Sequence, residues 1–386
     1  MADARPRLLH VITSLSTGGA EVMLRNVVLA APSREFDMRV VSLTTFDPIG
    51  SQIARAGIAT HALGARSGFL SVDHWRDLRS HILEWRPNLI HSWMYHANVA
   101  TGAILTTIPR SVRGKHIAAI RAAAGATQVQ SRRTRLVRRL DAMLSNRYDR
   151  LVFNAFSARD QHERLGYTVA RAVVIPNGFD TDKFQPKPGR RAATRRELGV
   201  VSEPLVGMIA RYHPVKGHRH FIESAAHLMK EGFGCRFVLV GAGCDSNNAE
   251  LSQLLHRHGI AGRVLLLGER SGIEDIVTAF DVVVCASTSE SFPNAVGEAM
   301  ASGVPCVVTD VGDCARLVGD SGWVVPVADA SAMSASIAAA LSLPQSAASA
   351  RGRRARERIV EHYALESVVG HYRDLYTLVL ADRGTA

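Results

Sequence analysis

What is scarce in this sequence closes off several classes of protein. No apolar run comes near the roughly 20 residues that a helix needs to cross a bilayer, so a membrane-spanning chain is not expected. Residues Met1 to Arg7 lead straight into an apolar strand-like run and lack the long apolar segment and cleavage site of a secretory signal, which sets the expectation of a cytoplasmic protein. There are only five cysteines, Cys235, Cys244, Cys285, Cys306 and Cys314, all in the second half, odd in number and without a C-x-x-C pair. That argues against a disulfide framework and against a zinc cluster. Cys285 and Cys306 fall inside apolar runs and read as small core residues. Gly241-Ala-Gly243 follows a strand-like run, but the third glycine of G-x-G-x-x-G would fall at Ser246, so the dinucleotide fingerprint is absent. No internal repeat is evident.

At 386 residues, with 47% apolar and 21% charged residues, the chain has the composition of an ordinary globular protein and the length of two domains. Its charge is unevenly placed. Residues 1–180 hold 24 Lys and Arg against 13 Asp and Glu, whereas residues 181–386 hold 22 of each, so the whole net charge of +11 belongs to the first half. Much of it lies in Arg110, Arg113, Lys115, Arg121, Arg132, Arg133, Arg135, Arg138 and Arg139, beside Leu136, Val137 and Leu140. A basic face next to aliphatic side chains suits an anionic membrane surface. Nucleic acid is the competing partner, disfavoured because no aromatics are interleaved for base stacking. A solvated basic helix stays open.

Apolar β-type runs alternate with helix-length amphipathic segments. The runs are Leu8–Ile12, Arg39–Leu43, Leu89–Trp93, Ile117–Ile120, Leu151–Phe153 and Val173–Ile175, then Leu205–Ile209, Phe237–Val240, Val264–Leu267, Val282–Cys285, Val304–Val308 and Trp323–Val325. Near-continuous hydrophobicity means strands covered on both faces, hence parallel sheets. The expected fold is α/β, two doubly wound Rossmann-like domains facing each other across a cleft, with ligands at the carboxyl ends of strands. The Pro- and Gly-rich stretch Gln185-Pro-Lys-Pro-Gly-Arg-Arg191 reads as a linker or domain edge.

Two segments carry the chemistry. In Glu290-Ser-Phe-Pro-Asn-Ala-Val-Gly-Glu298, two carboxylates lie eight residues apart around a corner that starts a helix near Pro293. Free amides of that first turn suit an anion; a carboxylate before the corner suits sugar hydroxyls and one inside the helix suits a ribose, a pattern fitting a nucleotide-sugar better than a bare phosphate. In Ala210-Arg-Tyr-His-Pro-Val-Lys-Gly217, Arg211 and Lys216 flank a turn at a strand end, where two cations can clamp a diphosphate. Supporting elements are Gly18 and Gly19 at the first strand–helix junction, which permit close backbone approach, and His96 after the run Leu89–Trp93. The bland alternatives are two surface glutamates on a strand–turn–helix unit, a solvated loop pair, a tight glycine turn and a structural histidine.

Taken together, these segments resemble retaining glycosyltransferases of family 4, which have the GT-B fold and act in bacterial polysaccharide and glycolipid synthesis. The resemblance implies an acceptor-binding domain over residues 1–184, a nucleotide-sugar-binding domain over 185–364, and a last helix over 365–386 packing back on the first. It implies that Glu290 binds donor-sugar hydroxyls and Glu298 the ribose. Arg211, Lys216 and the backbone around Ser291, Phe292, Asn294, Ala295 and Val296 would hold the diphosphate. Gly18 and Gly19 would approach the donor phosphates, Arg270 in Gly268-Glu-Arg-Ser-Gly-Ile273 would lie in the nucleobase loop, and His96 would touch the donor sugar. Asp310-Val-Gly-Asp313 and Gly322-Trp-Val-Val-Pro326 match the closing pattern. The implied reaction is hexosyl transfer from a nucleotide diphosphate sugar, UDP favoured, to a saccharide or lipid-linked acceptor, with no metal cofactor. The implied partners are the nucleotide-sugar, that acceptor and the inner membrane face, with no nucleic acid. Asp180 and Asp182 form a D-x-D, the metal motif of a different glycosyltransferase fold, but Ile175-Pro-Asn-Gly-Phe-Asp…Phe184 resembles instead the loop entering the second domain. Two departures stand out: Ala242 replaces the usual acidic residue between glycines, and Ser291 replaces the glycine usual after the first glutamate, which leaves the donor sugar open. A GT-B nucleotide-sugar epimerase and a non-enzymatic basic nucleic-acid- or membrane-binding module are the alternatives.

Overall fold

The computed structural model describes residues 5–30, 35–66, 70–109, 112–124, 131–200 and 202–382; Arg110 of the basic cluster lies outside them. The chain divides into two compact units, Met1–Gly178 with Leu365–Ala386, and Phe179–Ala364. In the first, the strands are β1 (Arg7–Ile12), β2 (Asp37–Ser42), β3 (Ala59–Ala62), β4 (Leu89–Trp93), β5 (Lys115–Ile120), β6 (Arg150–Phe153) and β7 (Ala172–Val174). They form one sheet in the order β3-β2-β1-β4-β5-β6-β7, every pair parallel. In the second, β8 (Leu205–Ile209), β9 (Arg236–Val240), β10 (Val264–Gly268), β11 (Val282–Cys285), β12 (Cys306–Thr309) and β13 (Trp323–Val325) form a parallel sheet in the order β10-β9-β8-β11-β12-β13. Each unit is thus a doubly wound, Rossmann-like α/β domain.

Alternate residues of the central strands serve opposite faces of the first sheet. Leu8 and Ile12 join Leu89, Trp93 and Ile117 on one face, under helices Gly19–Ala30 and Leu365–Ala381. Leu9 and Val11 join Val41 and Ile90 on the other, under helices Val72–Trp85 and Tyr95–Thr106. Both faces are therefore buried, which is why these strands read as continuous apolar runs. The strand β3 gave no such run: it is an edge strand, Ala-Thr-His-Ala, with alternating exposed and half-buried residues.

The last helix belongs to the first domain by its own chemistry. Val368, Tyr372, Leu375, Tyr376 and Val379, at helical spacing, enter the first domain's core. Tyr376 Oη lies 2.8 Å from His91 Nδ1, and Arg121 donates to Tyr372 Oη at 2.6 Å and to the Asn177 side chain. Arg121 and Arg138 are both buried, and Lys115 pairs with Asp149 at 3.2 Å. The two buried arginines consequently do not belong to a basic surface, unlike the exposed Arg132, Arg133, Arg135 and Arg139.

Two boundary expectations need correcting. The first segment ends at Gly178, not at residue 184, because Phe179 and Phe184 are buried in the second domain's core. There the Phe179 amide donates to the Tyr363 carbonyl at 2.9 Å. The presumed linker after Gln185 is the start of helix Pro188–Glu197 within that domain, with Pro188 in the first turn. Its Arg191 and Arg195 clamp Asp281 at 2.6 and 3.1 Å.

Truncating Tyr376 to alanine should remove an aromatic from the core and leave His91 without its partner. We expect a loss of about 4 kcal/mol in the stability of the first domain, measured by urea unfolding, with Tyr376→Phe costing about 1 kcal/mol.

Candidate functional site

Sheet order decides where each domain can hold a ligand. The chain leaves β1 towards β2 and β3, then returns to β4 on the other side of β1; it leaves β8 towards β9 and β10, then returns to β11. The loops past the carboxyl ends of β1 and β4, and of β8 and β11, diverge at these reversals and leave a crevice. Gly18, Arg211 and Glu290 lie on loops that follow strand carboxyl ends, and His96 and Glu298 lie in the helices that such loops enter.

In the second domain the reversal brings Lys216 to Glu290. Lys216 Nζ lies 2.6 Å from Glu290 Oε1, with the side chains 25% and 12% exposed, so the pair is sheltered yet reachable. Ser287 Oγ donates to the same Oε1 at 2.7 Å. Beneath it, the Thr309 hydroxyl donates to the Ser287 carbonyl at 2.6 Å, and the Thr288 amide donates to the Val215 carbonyl at 2.8 Å. Two glycines make this convergence possible. Gly217, at φ 71°, has no room for a Cβ against the Ala286 carbonyl, and Gly312, at φ 57°, has none against the Glu290 carbonyl. The chain on either side of Glu290 is thus locked to the loop after β8 and to the loop after β12.

Helix Asn294–Ala301 starts immediately beyond, with Pro293 capping it. Its first intrahelical bond runs from the Gly297 amide to the Pro293 carbonyl at 3.3 Å, so the amides before it belong to the helix's positive end. Phe292 and Val296 bury their side chains in the domain core; toward a ligand they have only backbone to offer. Ser291 is buried as well, its carbonyl accepting from the Asp313 amide at 3.0 Å. Arg211 and Arg270 are exposed on the loops after β8 and β10. His213, between Arg211 and Lys216, is held below its usual pKa by burial and then by the charges of both cations.

Glu298 lies one turn further along, beside the Lys183–Glu274 ion pair of 3.4 Å. Burial pushes its carboxyl up to about 7, Glu274 adding to the rise and Lys183 opposing it. Asp180 is not a free ligand: its Oδ1 accepts from the Asp182 and Lys183 amides at 3.2 and 2.8 Å, which makes it a turn-former.

In the first domain, Gly18 and Gly19 follow β1, and helix Gly19–Ala30 begins there. A Cβ at Gly18 would meet the Glu21 carboxylate. His96 is the second residue of helix Tyr95–Thr106 after β4, so these two elements lie past adjacent strand ends. Burial lowers the pKa of His96, favouring the neutral imidazole. Met94, the residue before that helix, has φ 74°, uncommon for a residue other than glycine.

Sequence reading missed Ser287, Thr309 and the spatial role of Gly312. The available signals were the short hydroxyl run Ser287-Thr-Ser289 before Glu290 and the glycine in Asp310-Val-Gly-Asp313. Cys306 is buried in the second domain's core, and Cys285, half-buried, packs against that core.

The raised pKa of Glu298 has a definite sign. Between the ordinary carboxyl value of 4.5 and about 7 the folded state holds more protons than the unfolded state, so this group's contribution to stability falls as pH rises through that window. Glu298→Gln should therefore raise Tm relative to wild type at pH 8, with the gain shrinking towards pH 5; a Tm difference independent of pH would refute the burial cost.

Comparison with known proteins follows the same lines. Residues 17–183 match the family described as Glycosyltransferase Family 4, and residues 203–342 match Glycosyl transferases group 1. EpsF of Bacillus subtilis (strain 168), a provisionally named glycosyltransferase, is 26% identical over 319 residues, covering 80% of each chain. The Escherichia coli UDP-Gal:alpha-D-GlcNAc-diphosphoundecaprenol alpha-1,3-galactosyltransferase is 33% identical over 141 residues, 36% of each chain. The structure of Anabaena HepE in complex with UDP and glucose superposes with a TM-score of 0.85 at 20% identity, covering 97% of this chain and 100% of that one.

Proposed function

The chain belongs to glycosyltransferase family 4, with the GT-B fold, and we propose that it moves a hexose from a UDP-sugar to a saccharide or lipid-linked acceptor with retention of anomeric configuration. The observation that carries this reading is the sheltered Lys216–Glu290 pair beside the positive end of helix Asn294–Ala301. A carboxylate and a cation in contact at a helix N-terminus suit the two halves of one substrate, sugar hydroxyls and diphosphate. HepE, solved with UDP and glucose, and the Escherichia coli relative, named for a UDP-galactose donor and a diphosphoundecaprenol-linked acceptor, support UDP and a lipid-linked acceptor.

In this mechanism Glu290 accepts hydrogen bonds from donor-sugar hydroxyls. Glu298 accepts from the ribose, and His96, as a neutral imidazole, contacts the sugar. Arg211, Lys216 and the first-turn amides take up the charge that grows on the departing diphosphate, so that it is stabilised more in the transition state than in the bound donor. That positive charge comes from the protein, and the proposal requires no metal. The departing phosphate removes the acceptor's proton on the face it leaves from, which gives retention.

Lys216 must exchange Glu290 for phosphate when donor binds. Glu290→Gln should therefore leave UDP affinity equal or tighter by calorimetry while lowering kcat at least about tenfold, the worth of a charge-assisted hydrogen bond. Unchanged turnover would remove Glu290 from the mechanism. UDP binding that survives EDTA supports the metal-free reading; a preference for GDP would move the donor class.

The acceptor side is proposed to sit at an anionic membrane. On helix Arg132–Leu144, Val137, Arg138 and Asp141 face the core. Leu136, Leu140 and Met143, 55%, 40% and 74% exposed, form an outward apolar stripe at helical spacing. Arg132, Arg133, Arg135 and Arg139 are exposed along it. Cations beside an outward apolar stripe are what an interfacial helix needs. No described helix is long and apolar enough to cross a membrane. The protein should co-sediment with phosphatidylglycerol vesicles at low salt, and changing Leu136, Leu140 and Met143 together to serine should abolish it without loss of Tm. Binding unchanged by the triple substitution would refute this surface.

A further inference from the structure

Ser287 lies against the Glu290 carboxylate and is only 2% exposed, too buried to touch a substrate. The peptide that joins it to Thr288 is clamped from two sides. Its carbonyl accepts from the Thr309 hydroxyl at 2.6 Å, and its N–H, which is that of Thr288, donates to the Val215 carbonyl at 2.8 Å. A planar peptide bonded at both of its polar groups has one orientation. Thr309 at the end of β12 and the loop that carries Lys216 therefore set where the Ser287 side chain points. The hydroxyl has a direction as well. The Cys285 thiol donates to Ser287 Oγ at 3.6 Å, which leaves the serine proton for Glu290 Oε1 at 2.7 Å. Lys216 Nζ binds the same oxygen at 2.6 Å. Both bonds fall on Oε1, and Oε2 is without a partner among the described residues.

We propose that Ser287 is the positioning residue of donor-sugar recognition: it holds Glu290 by Oε1 after Lys216 has turned to the diphosphate, so that Oε2 is the oxygen presented to a sugar hydroxyl. This rests on the function proposed above. The two bonds on Oε1 have different fates there. Lys216 is a flexible cation and is drawn to the phosphate charge. The Ser287 hydroxyl is bonded to Glu290 alone as a donor, and its clamped peptide cannot follow the substrate. Without that hydroxyl, Lys216 is the one side chain on the carboxylate. Glu290 then either follows the cation towards the diphosphate or loses its last bond when the donor arrives. In both cases the sugar hydroxyl meets a carboxylate that has to be ordered during the reaction and not before it. The cost falls on the sugar and not on the nucleotide, since UDP brings no hexose to Glu290.

The test compares Ser287→Ala with wild type in the full chain. UDP binding is measured by calorimetry. Turnover is read as UDP release from UDP-glucose, UDP-galactose and UDP-N-acetylglucosamine with water as acceptor, on whichever sugar the wild type consumes fastest. We expect an unchanged UDP affinity and a kcat lower by about tenfold, the worth of one hydrogen bond to a charged group. Thr309→Val, which frees the Ser287 carbonyl, should move kcat the same way and by less. In a Glu290→Ala background, Ser287→Ala should lower turnover no further, because it acts only through that carboxylate. An equal loss in that background would mean a general loosening of the loop and would overturn the proposal. So would a Ser287→Ala kcat equal to that of wild type, or a loss confined to UDP affinity. A wild type that binds no UDP would sink the proposed function and the positioning with it, whereas UDP binding together with an indifferent Ser287→Ala sinks the positioning alone.

Discussion

Parallel strand pairing imposes the constraint on which everything else in this protein depends. A strand can join its neighbour in parallel only after the chain has crossed back over the sheet, so each strand is followed by a loop at one common edge and then by a covering helix. The order β10-β9-β8-β11-β12-β13 adds one reversal of direction, and the loops after β8 and β11 part at that point. Lys216 and Glu290, 74 residues apart in sequence, meet there at 2.6 Å. Neither residue selects the other locally; the topology does.

The contact is held by the loops that surround it. Two glycines without room for a Cβ draw the loops after β8 and β12 against the backbone around Glu290. Thr309 and Ser287 continue that support to the carboxylate oxygen. Held this way, Glu290 and the helix N-terminus keep a fixed relation to each other, which is the preorganisation that the proposed function requires.

The first domain shows a different use of buried polar groups. Asp141 is fully buried and its carboxyl is pushed up to about 7 by that burial, although Tyr148, Tyr167 and Asn98 all donate to it. Ser92 links Asn98 to His116 at 2.7 and 2.8 Å. Such a network ties the inner face of the basic helix to the sheet, leaving its outer face with Leu136, Leu140 and Met143 exposed. Several charges that looked like surface in the sequence, Arg121 and Arg138 among them, are spent on these internal bonds.

The sequence by itself determined the layer architecture and the location of the motifs. Continuous apolar runs such as Leu89–Trp93 can be stable only as strands covered on both faces, and the glycines and Pro293 mark chain turns by backbone sterics alone. The edge strand β3 was not legible because it buries too little to need an apolar run. The domain boundary was misplaced because Pro and Gly mark a helix start as readily as a linker, and only the burial of Phe179 and Phe184 in the second core distinguishes them. Tertiary structure alone decided that Ser287 and Lys216 share one oxygen of Glu290, and that Arg121 is internal. These are contacts between residues far apart in the chain or on separate loops, and they depend on strand order and register, which local propensity does not encode.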